Sequence, residues 1–171
     1  ICGFKRNRHE GKITGLAAYG KPLSGNEICS LYSVNKKNGK IISLFDNYDQ
    51  LKIHLLKIYN KIGRDNFASS AQYALEKLTI TSIKILKKKY PFSNIGLAGG
   101  VFANVRLNQK ISEIDGINDI FIFPPMGDEG LVIGYVLDYL LKKNGIEFFL
   151  KQRRELNSVS WGEECKNDTF K

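Results

Sequence analysis

Between residues 94 and 141 one pattern occurs twice: a short apolar run, a turn marked by glycine or proline, then a longer stretch with helical spacing. Residues 94–98 are the first apolar run, Gly99-Gly100 turns the chain, and residues 102–111 have helical spacing. Residues 119–123 are the second run, Pro124-Pro125-Met126-Gly127 is the loop, and residues 128–141 are the second helix. A parallel strand pair needs a crossover of about a dozen residues or more, and a helix between two short strands supplies it. The pattern therefore predicts an α/β fold with these two strands parallel. Both turns then leave the sheet at the carboxyl ends of the strands, where ligands bind in open α/β sheets.

The first half has a different rhythm. Residues 9–18 read as a helix that Gly20 and Pro22 stop. Residues 27–34 and 40–45 read as two strands, joined by Lys36-Lys37-Asn38-Gly39, whose Asn-Gly pair favours a hairpin. Residues 50–62 carry Leu51, Leu55 and Ile58 at helical spacing, and Gly63 breaks that helix. A long helix follows over residues 66–89, with Ala71, Ala74, Leu75 and Leu78 on one face. The hairpin and the later parallel pair together predict a mixed β-sheet flanked by helices. From about residue 151 the pattern fades into a polar linker.

Composition narrows the classes. At 171 residues the chain is long enough for one domain with its own core. With 43% hydrophobic and 25% charged residues it is too apolar for a disordered segment. No apolar run approaches the roughly 18 residues that cross a bilayer, so no membrane partner is expected. Ile1-Cys2-Gly3-Phe4 runs straight into Lys5, Arg6 and Arg8, unlike a signal peptide. Cys2, Cys29 and Cys165 are scattered and odd in number, which argues against a disulfide framework and points to reduced thiols in the cytoplasm. The net charge is 26 − 17 = +9. The densest lysine runs, Lys87-Lys88-Lys89 and Lys142-Lys143, fall at predicted helix ends, where cations complement the dipole. That favours a solvated basic surface over nucleic acid, for which no recognition motif or aromatic–basic face is present. The chain opens on Ile1 inside a motif-like segment and ends in a polar tail, and it reads as a piece of a longer protein.

Three segments can carry chemistry. In Leu97-Ala98-Gly99-Gly100-Val101-Phe102-Ala103-Asn104 the glycines let a ligand approach the backbone, and free amides at the helix start favour an anion. Asn104, one turn into the expected helix, would offer an amide to a nucleotide; a tight turn with no ligand is the alternative. In Gly127-Asp128-Glu129-Gly130, Asp128 is either a hard oxygen ligand for a metal or the cap of the next helix. In Glu10-Gly11-Lys12-Ile13-Thr14-Gly15-Leu16-Ala17-Ala18-Tyr19-Gly20, Lys12 either neutralises a phosphate or is an exposed helix lysine. His9 and His54 lie on different elements, so a histidine pair at metal-ligand spacing is absent.

Those three segments, with Ala68-Ser69-Ser70-Ala71-Gln72 between the first and the second, resemble in content and order the carbamoyltransferases of the nodulation-protein and antibiotic O-carbamoyltransferase type. The resemblance implies an actin/hexokinase/Hsp70-like domain, similar to the tRNA threonylcarbamoyl-transferase fold, of which residues 1–150 would be the second half. Residues 151–171 would be the linker toward a further C-terminal domain. It implies that carbamoyl phosphate and ATP give carbamoyl adenylate, and that the carbamoyl group passes to a hydroxyl of a sugar or other secondary metabolite in biosynthesis. By the motifs, Gly99, Gly100 and Asn104 match the nucleotide-contacting loop. Asp128 matches the aspartate of a divalent metal site (iron, or manganese or magnesium) whose two histidines lie in the other half. Lys12 faces the same cleft as a catalytic candidate. The implied partners are the carbamoyl donor, a hydroxylated acceptor and the other domains of the same protein, with a homodimer left open. On this reading the fragment alone is expected to be inactive, and the competing expectation is a non-catalytic nucleotide-binding module of the actin-like superfamily.

Overall fold

The structure, a computed structural model, describes residues 1–5 and 8–151. Among these the elements in chain order are α1 (Glu10–Ala17), α2 (Gly25–Cys29), β1 (Tyr32–Val34), β2 (Ile41–Ser43), α3 (Tyr48–Ile62), α4 (Arg64–Lys89), β3 (Asn94–Leu97), a 3₁₀ turn (Gly100–Ala103), α5 (Val105–Ser112), β4 (Asp119–Ile122), α6 (Gly130–Asn144) and α7 (Ile146–Lys151).

The spine is α4. Its 26 residues span about 39 Å at about 1.5 Å per residue. Its amino-terminal half feeds one core, in which Phe67 and Ala74 pack with Cys2, Ile28 and Ile58. Its carboxyl-terminal half feeds a second core, in which Ile83 meets Leu97, Leu107, Ile111 and Ile114. The β-branched run from Thr79 to Thr81 does not break it. Ile80 and Ile83 are fixed by the second core, and Thr81 Oγ1 donates back to the Lys77 carbonyl at 2.7 Å. Lys87, Lys88 and Lys89 occupy the last turn, where the carbonyl end attracts cations. At the start of α3, Asn47 Oδ1 accepts from the Gln50 amide at 3.0 Å and caps the helix.

The parallel pair forms as the strand–helix–strand pattern predicts. Leu97 lies opposite Ile122, and the Phe123 amide donates to the Leu97 carbonyl at 2.9 Å. The Gly99-Gly100 turn and the Gly127-Asp128 loop therefore leave from the same edge. The hairpin also forms, β1 antiparallel to β2, with Gly39 at φ +70° closing its four-residue loop.

Two expectations are corrected. The four strands do not share one mixed sheet; the described residues hold two separate two-stranded sheets, β1–β2 and β3–β4. The hairpin is held by α4 instead, where Ser82 Oγ donates to the Gly39 carbonyl at 2.6 Å. The fold class remains mixed α/β. Residues 27–30 are not strand either: Glu27, Ile28 and Cys29 belong to α2, which packs on α4 with Gly25 against the Tyr73 ring and Ile28 in the first core. A helical turn delivers Ile28 inward, and that packing overrides the β-preference of the segment.

At the other end, α6 extends three residues past its expected end and is followed by α7, which reaches Lys151, where the linker was expected to begin. Apolar residues cover α6 on all sides, yet Leu131, Val132, Tyr135 and Tyr139 are more than half exposed and no residue of the helix is buried. No helix among the described residues is long and apolar enough to cross a membrane. The expected linker over residues 151–171 lies almost wholly outside the described residues.

Candidate functional site

The candidate site is built where three distant stretches of sequence meet. Glu10 and Thr14 on α1, Gln72 on α4, and Gly100, Val101 and Asn104 before α5 line one cleft of 470 Å³. Glu10 and Thr14 are four residues apart and share a helix face, on which Gly11 and Gly15 also line the cleft. The two glycines leave that face bare, because a Cβ at either would meet nothing within 4 Å. Across the cleft, Gly99 takes φ +105°, a conformation open to glycine, and turns the chain from β3 into the 3₁₀ turn. A Cβ at Gly99 or Gly100 would also meet nothing within 4 Å, so a ligand can reach this backbone.

Asn104 joins the walls. It is not one turn into a helix, as its spacing suggested, but the N-cap of α5, its Oδ1 accepting from the Leu107 amide at 3.0 Å. Its Nδ2 donates to Gln72 Oε1 at 2.8 Å and to Thr14 Oγ1 at 3.1 Å. Gln72 Nε2 returns a bond to Asn104 Oδ1 at 3.2 Å and donates to Glu76 Oε1 at 2.8 Å. Arg106 Nε stands 3.7 Å from the same Glu76 oxygen. A primary amide has two donor hydrogens and one carbonyl oxygen, and the protein itself engages all of them on Asn104. The side chain thus fixes the relative positions of α1, α4 and α5 around the cleft. The cap arises because the chain pauses at extended φ and ψ between the 3₁₀ turn and α5, which periodicity alone does not reveal.

The other candidates sit differently. Lys12 is exposed on α1, two positions and about 200° around the helix from the face that carries Glu10, and it is not part of the cleft wall. Asp128 is exposed in the turn before α6, at the same sheet edge as Gly99 but outside this wall. It does not cap α6 with its side chain; Glu129 is the N-cap and has no side-chain cap bond, while the Asp128 carbonyl accepts from the Leu131 amide at 3.1 Å. No group of three or more His, Cys, Asp and Glu side chains that could hold a metal forms among the described residues. This set does not make a metal centre by itself. Thr14 and Gln72 lie inside two of the segments that carry the resemblance but were not singled out as site residues; the Gly11/Gly15 spacing is the signal that points to the face beside Thr14.

The family model described as carbamoyltransferase N-terminus matches residues 1–137. An uncharacterized protein of Methanocaldococcus jannaschii, MJ1058, is 33% identical over 190 aligned positions that take in 100% of this chain and 30% of the relative. Nodulation protein NolNO of Sinorhizobium fredii is 25% identical over 93% of the chain, and nodulation protein NolO of Bradyrhizobium diazoefficiens 27% identical over 93%. The chain spans 24% and 29% of the length of those two relatives.

Proposed function

The chain belongs to the carbamoyltransferase family defined by that N-terminal model, and from this premise we propose that it is part of an ATP-dependent O-carbamoyltransferase. The 470 Å³ cleft is the proposed seat of the nucleotide and of the carbamoyl adenylate made from it. One observation carries the reading. Three of the four segments that resemble the family converge on this single cleft: Glu10–Gly15, Ala71-Gln72 and Gly100–Asn104. The bare glycine face of α1 and the open backbone at Gly100 leave room for a flat base or ribose.

In the transfer step the acceptor hydroxyl oxygen bonds to the carbamoyl carbon. The bond from that carbon to the adenylate oxygen breaks, its electron pair leaves with AMP, and the hydroxyl proton passes to solvent. The residues of this chain bind and orient; Asn104, Gln72 and Thr14 hold the two walls at fixed spacing, and such positioning lowers the barrier by limiting the geometries to be searched. Asp128, at the same strand edge, is proposed as one ligand of a divalent metal completed by residues beyond this chain. The exposure of α6 supports a larger actin-like domain of which this is half, since a helix apolar all round is a buried helix in globular proteins.

The test uses the full-length protein with ATP, carbamoyl phosphate labelled in its carbonyl carbon, and a panel of alcohols. The reading expects release of pyrophosphate and label in a carbamate ester, both dependent on ATP. Transfer that proceeds equally well without ATP, or no transfer to any hydroxyl together with no ATP binding, contradicts it.

A further inference from the structure

The hydrogen bonds around Asn104 have one fixed polarity. A primary amide can be turned end for end in the same space, so its direction is set by neighbours that only donate or only accept. Both kinds are present. At one end the Leu107 backbone amide only donates, and it donates to Asn104 Oδ1 at 3.0 Å. This turns the Asn104 NH₂ toward Gln72 Oε1 and Thr14 Oγ1, at 2.8 and 3.1 Å. At the other end a carboxylate only accepts: Gln72 Nε2 donates to Glu76 Oε1 at 2.8 Å. The Arg106 guanidinium stands 3.7 Å from that oxygen. Glu76 thereby holds Gln72 with its carbonyl toward Asn104, and the same orientation lets Gln72 Nε2 donate to Asn104 Oδ1 at 3.2 Å. The two ends agree on one direction, and bonds in such a chain polarise one another.

The direction matters at Thr14. A threonine hydroxyl has one hydrogen to give and lone pairs to accept with. Because Asn104 Nδ2 donates to Thr14 Oγ1, the Thr14 hydrogen points away from Asn104. Thr81, a comparable threonine within α4, gives its hydrogen to the Lys77 carbonyl, one turn back. The Thr14 side chain gives its hydrogen to no protein group among the described residues. It is half-buried in the cleft wall, beside the bare Gly11 and Gly15. Glu76 does not line the cleft. With Arg106 it lines a neighbouring hollow of 520 Å³, whose wall Thr14 and Gln72 share.

We propose that Thr14 is a ligand-binding residue whose hydroxyl donates to a phosphate oxygen of ATP, and that Glu76 is a positioning residue that acts through Gln72 and Asn104 to keep this hydroxyl a donor. The inference rests on the reading of the cleft as the seat of the nucleotide. Polarity selects the oxygen. A ribose hydroxyl pairs with a donor or an acceptor alike, whereas a phosphate oxygen only accepts, and its charge strengthens the bond. Without the carboxylate at position 76, Gln72 is free to turn over and set its NH₂ against that of Asn104. Asn104 relieves that clash only by turning too, which gives up the cap on Leu107 and puts its carbonyl against Thr14. The Thr14 hydrogen is then drawn to Asn104, and the phosphate meets lone pairs.

The experiment measures the binding of ATP and of adenosine to the full-length protein, by displacement of a fluorescent ATP analogue. The parent is compared with Thr14→Val, Thr14→Ser, Glu76→Gln and the Thr14→Val/Glu76→Gln double variant. Valine keeps the outline of threonine and lacks the hydroxyl. Thr14→Val should weaken ATP by about threefold to tenfold, and Thr14→Ser should restore it to within about twofold of the parent. Adenosine, which has no phosphate, should bind the parent and Thr14→Val alike. ATP binding unchanged in Thr14→Val, Thr14→Ser no better than Thr14→Val, or an equal loss for adenosine overturns the phosphate contact. Glu76→Gln should weaken ATP by about threefold when Thr14 is present and add nothing to Thr14→Val, the signature of two residues acting through one chain. Equal losses in the two backgrounds, or no loss in either, overturn Glu76 as the positioning residue. A parent protein that does not bind ATP removes the reading of the cleft itself, and this proposal with it.

Discussion

Removing the Asn104 side chain should loosen the whole cleft. Asn104→Ala deletes the cap on the Leu107 amide, the paired amide bonds with Gln72, and the bond to Thr14 Oγ1. Loss of an Asn cap costs about 1 kcal/mol. Each neutral hydrogen bond contributes about 0.5–1.5 kcal/mol net, toward the low end here because water can reach a half-buried cleft. The sum is about 2–3 kcal/mol, which for a chain of this size lowers Tm by about 5–10 °C. Asn104→Ser keeps a cap acceptor and should recover about 1 kcal/mol of that. Urea unfolding of Asn104→Ala, Gln72→Ala and the double variant gives the coupling, expected at about 1 kcal/mol or more for side chains in direct contact. A Tm for Asn104→Ala within 1 °C of the parent, or strict additivity of the two changes, would refute the account of Asn104 as the joint of the cleft. It follows that a loss of ATP binding in Asn104→Ala reports lost positioning as well as any lost contact, whereas the sequence alone pointed to a contact with the fold left intact.

Two glycines of α1 and the chain just after it should behave oppositely. Gly15→Ala should stabilise by about 0.5–1 kcal/mol through helix propensity, since its methyl meets open space, yet weaken nucleotide binding because that space is the cleft; Gly20→Ala should destabilise by about 1–3 kcal/mol, its Cβ falling on the Asp65 backbone carbonyl. Burial raises the Cys2 and Cys29 thiols above 9.0 and the Tyr32 phenol above 10.0. Because these acids hold their protons more tightly folded than unfolded, their contribution is intact below about pH 9 and is lost as the pH climbs above 9.0 for the thiols and above 10.0 for the phenol; urea midpoints should fall over that rise, and less steeply in Tyr32→Phe. Asp128→Ala in the full-length enzyme should abolish carbamoyl transfer while moving stability by no more than about 0.5 kcal/mol, because the side chain is exposed; transfer at the parent rate would remove Asp128 from the site.

The readable part of the sequence was the part governed by local rules. Gly63, the Asn38-Gly39 turn and the two strand–turn–helix units each carry their own signal, and each forms as expected. What escaped depends on partners distant in sequence. The segment from Glu27 to Cys29 alternates like a strand but becomes helical because α4 offers a slot for Ile28. The sheets stay apart because the hairpin finds its anchor in Ser82 rather than in another strand. The site shows the same division: Gly99, Gly100 and Asn104 stood out as site candidates within their motif, whereas Gln72 and Thr14, though inside two other quoted segments, join the site only when 32 and 90 residues of separation close on Asn104. Lys12 drew attention by its charge, but helix phase turns it away from the face that Glu10 and Thr14 present.

The central claim is that one cleft, walled by α1, α4 and the Gly100–Asn104 turn, holds the nucleotide. Hydrogen–deuterium exchange of the full-length protein, with and without saturating ATP, tests it most directly. The account predicts slower exchange on ATP binding in peptides covering residues 10–17 and 99–107, with the hairpin at residues 32–43 unchanged. Exchange unaltered in both of the first two peptides while ATP is bound, or protection confined to other elements, would contradict it.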